Sequence, residues 1–314
     1  MALTEHQQPA TAPRSLRTRY LALAKVDVPD YWYGPIVAWS CAASPFGWVV
    51  VPASMLVTGV AGGNWAAAAL DDIQGLADGI DEITYSSENT LRSRNRKPLL
   101  TGELTADEAR LFASACVLGS MGVSVAAFGL SPHRPLRLVP IGLAGLLLSV
   151  QYSYGLKLSY RPGGAEASLF GTMMLVTAGP GYLFGAARPA LWAATLLLSS
   201  TMTQSAMAAN GQDAVADAAG GRRTIATLLT SAQYGRLIAL LSVVDLAVAL
   251  GAVGLGALHP ITALTLTPAA VCKARQAHSA WQGDWLRARR RGFTALRMIA
   301  GGIIAGNLVG RALR

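Results

Sequence analysis

The chain has 314 residues, 52% of them hydrophobic and 14% charged, with a formal net charge of +9. That composition is too apolar for an ordinary soluble domain, and several windows of about 20 apolar residues predict a polytopic α-helical membrane protein. In such a protein the excess of Arg reports topology and lipid contact before nucleic acid. Cys41, Cys116 and Cys272 lie in apolar runs and have neither metal-ligand spacing nor the look of a disulfide framework.

Residues 1–14 are polar, contain Pro and Gln, and carry no signal-peptide pattern. They are expected to be a disordered tail, leaving 15–314 as a single transmembrane domain. Leu16–Val28 reads as an interfacial helix. Nine spans follow: Tyr33–Ser44, Trp48 into an acidic stretch, Glu103–Leu130, Leu138–Tyr154, Ala165–Gly185, Ala190–Asn210, Leu237–Leu258, Ile261–Cys272 and Phe293–Val309. The third opens with Thr105 as N-cap and Glu108 at the capping-box position. By this count one side takes Arg14, Arg17, Arg19, Lys25, Arg110, Lys157, Arg161, Arg236, Lys273, Arg275, Arg297, and the basic runs at 92–97, 222–223 and 287–291. The other takes only Arg134, Arg137, Arg188, Arg311 and Arg314. The asymmetry places the N-terminus and both acidic stretches in the cytoplasm, with the cell membrane as the expected location.

Those acidic stretches are the unusual feature. Asp71, Asp72, Asp78 and Asp81 lie within eleven residues at the end of the second span. Charge so close to hydrocarbon is costly and marks a functional site. On a continuous helix Asp71, Gln74, Asp78 and Asp81 would share one face, with Asp72 pointing elsewhere. Asn210, Asp213 and Asp217 end the sixth span with i, i+3, i+7 spacing, again one face. Crowded carboxylates call for a cation, and a hard divalent ion with oxygen ligands, Mg²⁺, is the natural one. Metal candidates are therefore Asp71, Asp72, Asp78, Asp81, Asn210, Asp213 and Asp217. Basic residues follow each stretch: Arg92, Arg94, Arg96 and Lys97 after the first, Arg222 and Arg223 after the second. Two acidic helix ends backed by basic loops would clamp a metal-bound diphosphate. The order of acidic motif, basic loop and apolar span occurs twice, which suggests two similar four-helix halves plus a ninth helix around a central cavity. Glu166 reads as a cap of the fifth span or a group polarising an acceptor. Asp245, inside the seventh span, needs a partner.

Three segments together resemble the UbiA superfamily of intramembrane prenyltransferases. They are Arg96-Lys97-Pro98-Leu99-Leu100-Thr101-Gly102 behind the first motif, Tyr152-Ser153-Tyr154-Gly155-Leu156-Lys157-Leu158-Ser159-Tyr160 after the fourth span, and Asn210 to Asp217 with the tail Gly221-Arg222-Arg223-Thr224. The chain departs from the family pattern in having Asp71 where an Asn is usual and Gly75 where the next Asp is usual. The resemblance implies a Mg²⁺-dependent enzyme that ionises an isoprenyl diphosphate in an apolar cavity and transfers the prenyl group to an aromatic or other lipophilic acceptor. Lys157 resembles the family's phosphate-binding Lys. Tyr152 and Tyr154 could face a carbocation through their rings. Asp71, Asp78, Asp213, Asp217, Lys157 and Tyr154 are thus the expected catalytic set, with Arg92, Arg94, Arg96, Lys97, Arg222 and Arg223 toward the diphosphate. Membrane lipid is the remaining partner, and no nucleic acid is expected. The alternative is a UbiA-type terpene cyclase, in which the prenyl chain's own double bonds capture the cation.

Overall fold

The computed structural model describes residues 14–42, 44–85, 93–131 and 133–313. Arg92 and the tail before residue 14 fall outside these residues, and so do the expectations placed on them. The described chain is built of α-helices and short 3₁₀ turns, with one isolated bridge between Ala42 and Ala186. Thirteen α-helices follow in order. The first half contains α1 (Leu16–Leu23), α2 (Tyr33–Ser40), α3 (Val50–Ala77), α4 (Ile80–Thr84), α5 (Ala106–Leu130), α6 (Leu138–Val150) and α7 (Gly164–Leu183). The second contains α8 (Arg188–Ala219), α9 (Ile225–Leu228), α10 (Ser231–Gly254), α11 (Ile261–Thr265), α12 (Thr267–Trp281) and α13 (Trp285–Ala312).

Among the described residues, four helices are long and apolar enough to cross a membrane: Gly47–Ala77, Ala106–Leu130, Ser231–Gly254 and Trp285–Ala312. Leu138–Val150 is a shorter apolar helix. The expected first span is confined to the eight residues of α2, and the expected eighth is broken at Leu266 between α11 and α12. α5 and α10 carry most of their apolar side chains on the outside, including Leu111, Leu118, Val125, Leu240, Val243 and Leu250. In a lipid environment that outward face lies against hydrocarbon, where it costs nothing. α3 and α13 lie deeper.

The starts of the helices follow from local chemistry. Thr105 caps α5, and Glu108 returns the bond to the Thr105 N–H, the expected capping box. Thr230 and Gln233 do the same for α10, and Asp284 caps α13 through the Arg287 N–H. The largest core cluster joins Val37 and Ala38 of α2, Leu56 of α3, Met173 of α7, Leu191, Leu198 and Met202 of α8, and Leu296 and Ile303 of α13. α3 and α5 pack closely enough for Ser120 Oγ to donate to the Gly59 carbonyl at 2.6 Å. Small residues at such a crossing bring backbones together where lipid supplies no hydrophobic drive. This packing brings the ends of α3 and α8 to the same end of the bundle.

Candidate active site

The first acidic stretch is not one helical face. α3 stops at Ala77, Asp78 takes the C-cap, and Gly79 turns the chain with φ +75° before α4 begins. That left-handed conformation suits Gly and breaks the register. The expected alignment of Asp71, Gln74, Asp78 and Asp81 is therefore corrected: Asp81 lies on α4, folded back against α3. Asp72, read as pointing elsewhere, is the fully buried acid of the group.

Asp72 and Asp81 are held by lysine. The buried Lys97 ammonium lies 2.8 Å from Asp72 Oδ1 and 2.7 Å from Asp81 Oδ1. Lys25 Nζ adds a second contact to Asp72 Oδ1 at 2.9 Å. Burial alone would lower the Lys97 pKa, but Asp72, Asp81 and Asp71 outweigh it and hold it well above the ordinary lysine value. Burial is also the leading influence on Asp81, whose carboxyl is pushed up. Lys97 is thus committed to carboxylates rather than presented to a diphosphate. Arg96 is exposed and pairs with Asp27 at 2.6 Å, while Arg94 is exposed.

The second motif reaches the first through its tail. Arg222 Nη2 lies 2.9 Å from Asp71 Oδ1, the same oxygen that accepts from Ser153 Oγ at 2.6 Å. The Arg222 N–H is itself anchored on the Asp217 carbonyl at 2.8 Å. Burial works against the Arg222 charge, yet Asp71 and its neighbours hold its pKa above the ordinary value. The 151–161 loop closes the third side. The Arg223 N–H donates to the Ser159 carbonyl, and the Gly163 N–H to the Arg223 carbonyl, both at 3.0 Å. Tyr160 donates its hydroxyl to Asp78, and its ring lies 5.2 Å from Lys157 Nζ and 5.8 Å from the Arg222 guanidinium. Lys157 is exposed and adopts φ +49°, Arg223 and Tyr154 are exposed, and Tyr152 is half-buried.

On α8 the expected face is intact. Asn210 Nδ2 donates to Glu166 Oε1 at 2.9 Å, and the Ile225 N–H donates to the same oxygen at 3.1 Å. Glu166, in the first turn of α7 where it also takes a hydrogen bond from its own backbone N–H, therefore ties α7 to the second motif. Asp213 is half-buried and Asp217 buried. Glu166 Oε2 and Gln212 Oε1 are buried without a hydrogen-bond partner. Among the described residues no three or more His, Cys, Asp or Glu side chains converge as a metal cluster. The two motifs nonetheless differ in what they offer a cation. Asp71, Asp72 and Asp81 already bear Arg222, Lys25 and Lys97, with Asp72 Oδ2 the one oxygen among them that is buried without a hydrogen-bond partner. The second motif sets the Asn210 side-chain carbonyl and the Asp213 and Asp217 carboxylates along one helix, with the orphaned Glu166 Oε2 and Gln212 Oε1 buried nearby, a hard-oxygen set that suits Mg²⁺ sharing a phosphate.

Lys25, Ser153 and Tyr160 are site residues that motif reading did not single out as such. Lys25 lies far from the motif in sequence, and Tyr160 was visible only as the end of the 152–160 segment.

The model of the UbiA prenyltransferase family matches residues 33–297. By sequence, no curated protein matches the chain. The fold is similar to a UbiA homologue from Archaeoglobus fulgidus bound to DMAPP and Mg²⁺, with TM-score 0.66, 15% identity, and coverage of 94% of this chain and 100% of that one. It is similar to a UbiA homologue from Aeropyrum pernix K1, with TM-score 0.61, 17% identity, and coverage of 93% and 98%. A structure described for the biosynthesis of digeranylgeranylglyceryl phosphate synthase in membranes matches with TM-score 0.64, 13% identity, and coverage of 93% and 99%. At these identities the likeness is one of fold.

Proposed function

The chain belongs to the UbiA prenyltransferase family, and from that premise we propose that it is a Mg²⁺-dependent intramembrane enzyme that ionises an isoprenyl diphosphate and transfers the prenyl group to an aromatic or other lipophilic acceptor. The observation that carries this reading is the contact of Arg222 with Asp71, which joins the two acidic motifs at one end of the bundle. The DMAPP and Mg²⁺ in the Archaeoglobus homologue support the same class of ligand. The bundle is read as nine crossings in two similar halves plus one, with α2 and the α11–α12 pair as the short or broken members. Both motifs are placed on the cytoplasmic side of the cell membrane.

Asn210, Asp213 and Asp217 would hold Mg²⁺. Bound there, it supplies charge neutralisation of the leaving diphosphate. The chain's own residues do the rest. Lys157, Arg223 and Arg94, all exposed, would bind the outer phosphate oxygens by charge-assisted hydrogen bonds. Arg222, pinned between Asp71 and the Tyr160 ring, sets the orientation of the mouth. The apolar helices exclude water from the ionised prenyl chain, which favours capture by the acceptor over hydrolysis.

The test is incubation of purified protein with Mg²⁺ and geranyl, farnesyl, geranylgeranyl or geranylfarnesyl diphosphate, with and without an aromatic acceptor. Consumption only with acceptor is the expected outcome; a cyclic terpene formed without acceptor assigns the chain to the cyclase alternative. Asp213→Ala should lower turnover by about 100-fold or more at unchanged expression, with EDTA mimicking the loss and Mg²⁺ reversing it. Metal-independent turnover in Asp213→Ala would overturn the reading.

A further inference from the structure

The first motif lacks a carboxylate at position 75, and the structure has a substitute for it. A Cβ placed on Gly75 would stand 2.9 Å from Asp81 Cγ. The carboxyl group delivered by α4 therefore occupies the space that a side chain at 75 would claim. It faces Asp72 there, and between the two lies the Lys97 ammonium, at 2.8 and 2.7 Å. Lys97 is 4% exposed and Asp72 is fully buried. Lys25 reaches the same Asp72 oxygen, Oδ1, at 2.9 Å, which leaves Asp72 Oδ2 buried without a hydrogen-bond partner, and Arg222 covers Asp71. Three carboxylates thus meet three fixed cations. A divalent ion entering this group would have to evict a buried ammonium or sit against it.

We propose that Lys97 is the resident cation of the first acidic motif. Its ammonium takes the place that a metal would hold between Asp72 and Asp81, and metal binding in this chain is confined to the Asn210–Asp217 side. This rests on the diphosphate reading above and narrows it. The first motif is a permanently charge-compensated anchor for that end of the site, and the second is the part that responds to metal supply. The exchange explains why Gly75 and Asp81 occur together: a carboxylate at 75 would collide with the one that grips the lysine.

Counting bound metal tests this. The full-length protein in detergent is titrated with Mn²⁺, standing in for Mg²⁺, in the presence of inorganic pyrophosphate, and bound Mn²⁺ is read by electron paramagnetic resonance. The expected result is one Mn²⁺ per chain in the wild type and in Asp72→Asn, and two in Lys97→Met, where the vacated carboxylate pair accepts a second ion. Two Mn²⁺ in the wild type, falling to one in Asp72→Asn, would overturn the inference alone. So would a folded Lys97→Met that stays at one. Should Lys97→Met fail to fold, the wild-type and Asp72→Asn counts decide. No bound Mn²⁺ in the wild type overturns the metal-diphosphate reading as well, and the two failures are thereby told apart.

Discussion

Tyr160 shows how much one side chain can coordinate at this site. Its hydroxyl donates to Asp78, and its ring lies near both Lys157 and Arg222. An aromatic face near two cations favours holding them in place, so Tyr160 links the 151–161 loop to both motifs. Tyr160→Phe keeps the ring and frees Asp78. Turnover should fall by about tenfold, while Tyr160→Ala, which removes the ring as well, should lose more; each step is of the size expected for one hydrogen bond to a charged group or one cation–π contact. Steady-state kinetics on the two variants check this, and equal rates would deny the ring a role. A second residue-scale case lies at the surface. Arg14 Nε bonds both Glu103 oxygens, at 2.9 and 3.0 Å, and Arg19 bonds the Glu103 carbonyl, tying α1 to the chain just ahead of α5. The hydrogen bond from Arg14 holds the Glu103 carboxyl below its ordinary value of 4.5. A carboxylate shifted down stabilises the fold above the unfolded value and loses that contribution as pH falls through the folded one. α1 should therefore loosen in acid below about pH 4.5, and Glu103→Gln should loosen it at neutral pH by about 0.5 kcal/mol, the scale of an exposed ion pair. Amide exchange of residues 16–23 reads both. Of these residues the motif acids and Lys97 stood out in the sequence. Lys25, Tyr160 and Arg14 did not, because what makes them matter is a partner brought in by the fold.

At the scale of elements, the second motif was legible because α8 runs unbroken from Arg188 to Ala219, so helical spacing on paper is helical spacing in space. The first was misread because Gly79 ends that spacing between Asp78 and Asp81. The sequence contains the signal, a Gly just past a helix end, but the four Asp residues suggested one continuous face. The break has a structural use. It turns Ile80 against Gly220, at the end of α8, where any Cβ would overlap the Ile80 side chain. α4 is thus the piece that sets the distance between the motifs. Gly220→Val should push α4 away and cost about 1–3 kcal/mol, the usual penalty for overpacking. Because α4 carries Asp81, the same variant should weaken pyrophosphate binding. A thermal scan together with a binding titration checks both; a variant with full stability and affinity would mean that α4 does not space the site.

Across the whole molecule, composition and apolar runs marked the chain as helical and membrane-spanning, and four of its helices meet that description outright. The remaining spans were harder to bound because polar groups inside them are satisfied by neighbours that no local window contains. Asp245 is the clearest instance. Its required partner is Lys273 of α12, 2.9 Å away, with Gln204 of α8 donating to the same carboxylate at 2.8 Å. Lys273 Nζ in turn lies 2.5 Å from Gln204 Oε1, and Ser242 donates to that oxygen at 3.0 Å. The network borders an apolar cavity of ≈ 240 Å³ between α8, α10 and α12, away from the acidic motifs. It lies in the second half of the bundle, where α10 has little but lipid outside it. Its arrangement argues that the pair fixes how α10 and α12 sit on α8 rather than serving the chemistry. Breaking such a pair leaves an uncompensated buried charge, whereas replacing both members with apolar groups of similar size removes the need for one. Lys273→Met alone should cost about 3–5 kcal/mol. Adding Asp245→Leu to it should recover most of that loss, and turnover in the double variant should stay within about twofold of wild type if the site at the other motifs is undisturbed. Thermal unfolding in detergent and a parallel rate measurement test both halves of the expectation. A double variant that is stable but inactive would instead place Asp245 and Lys273 in the reaction.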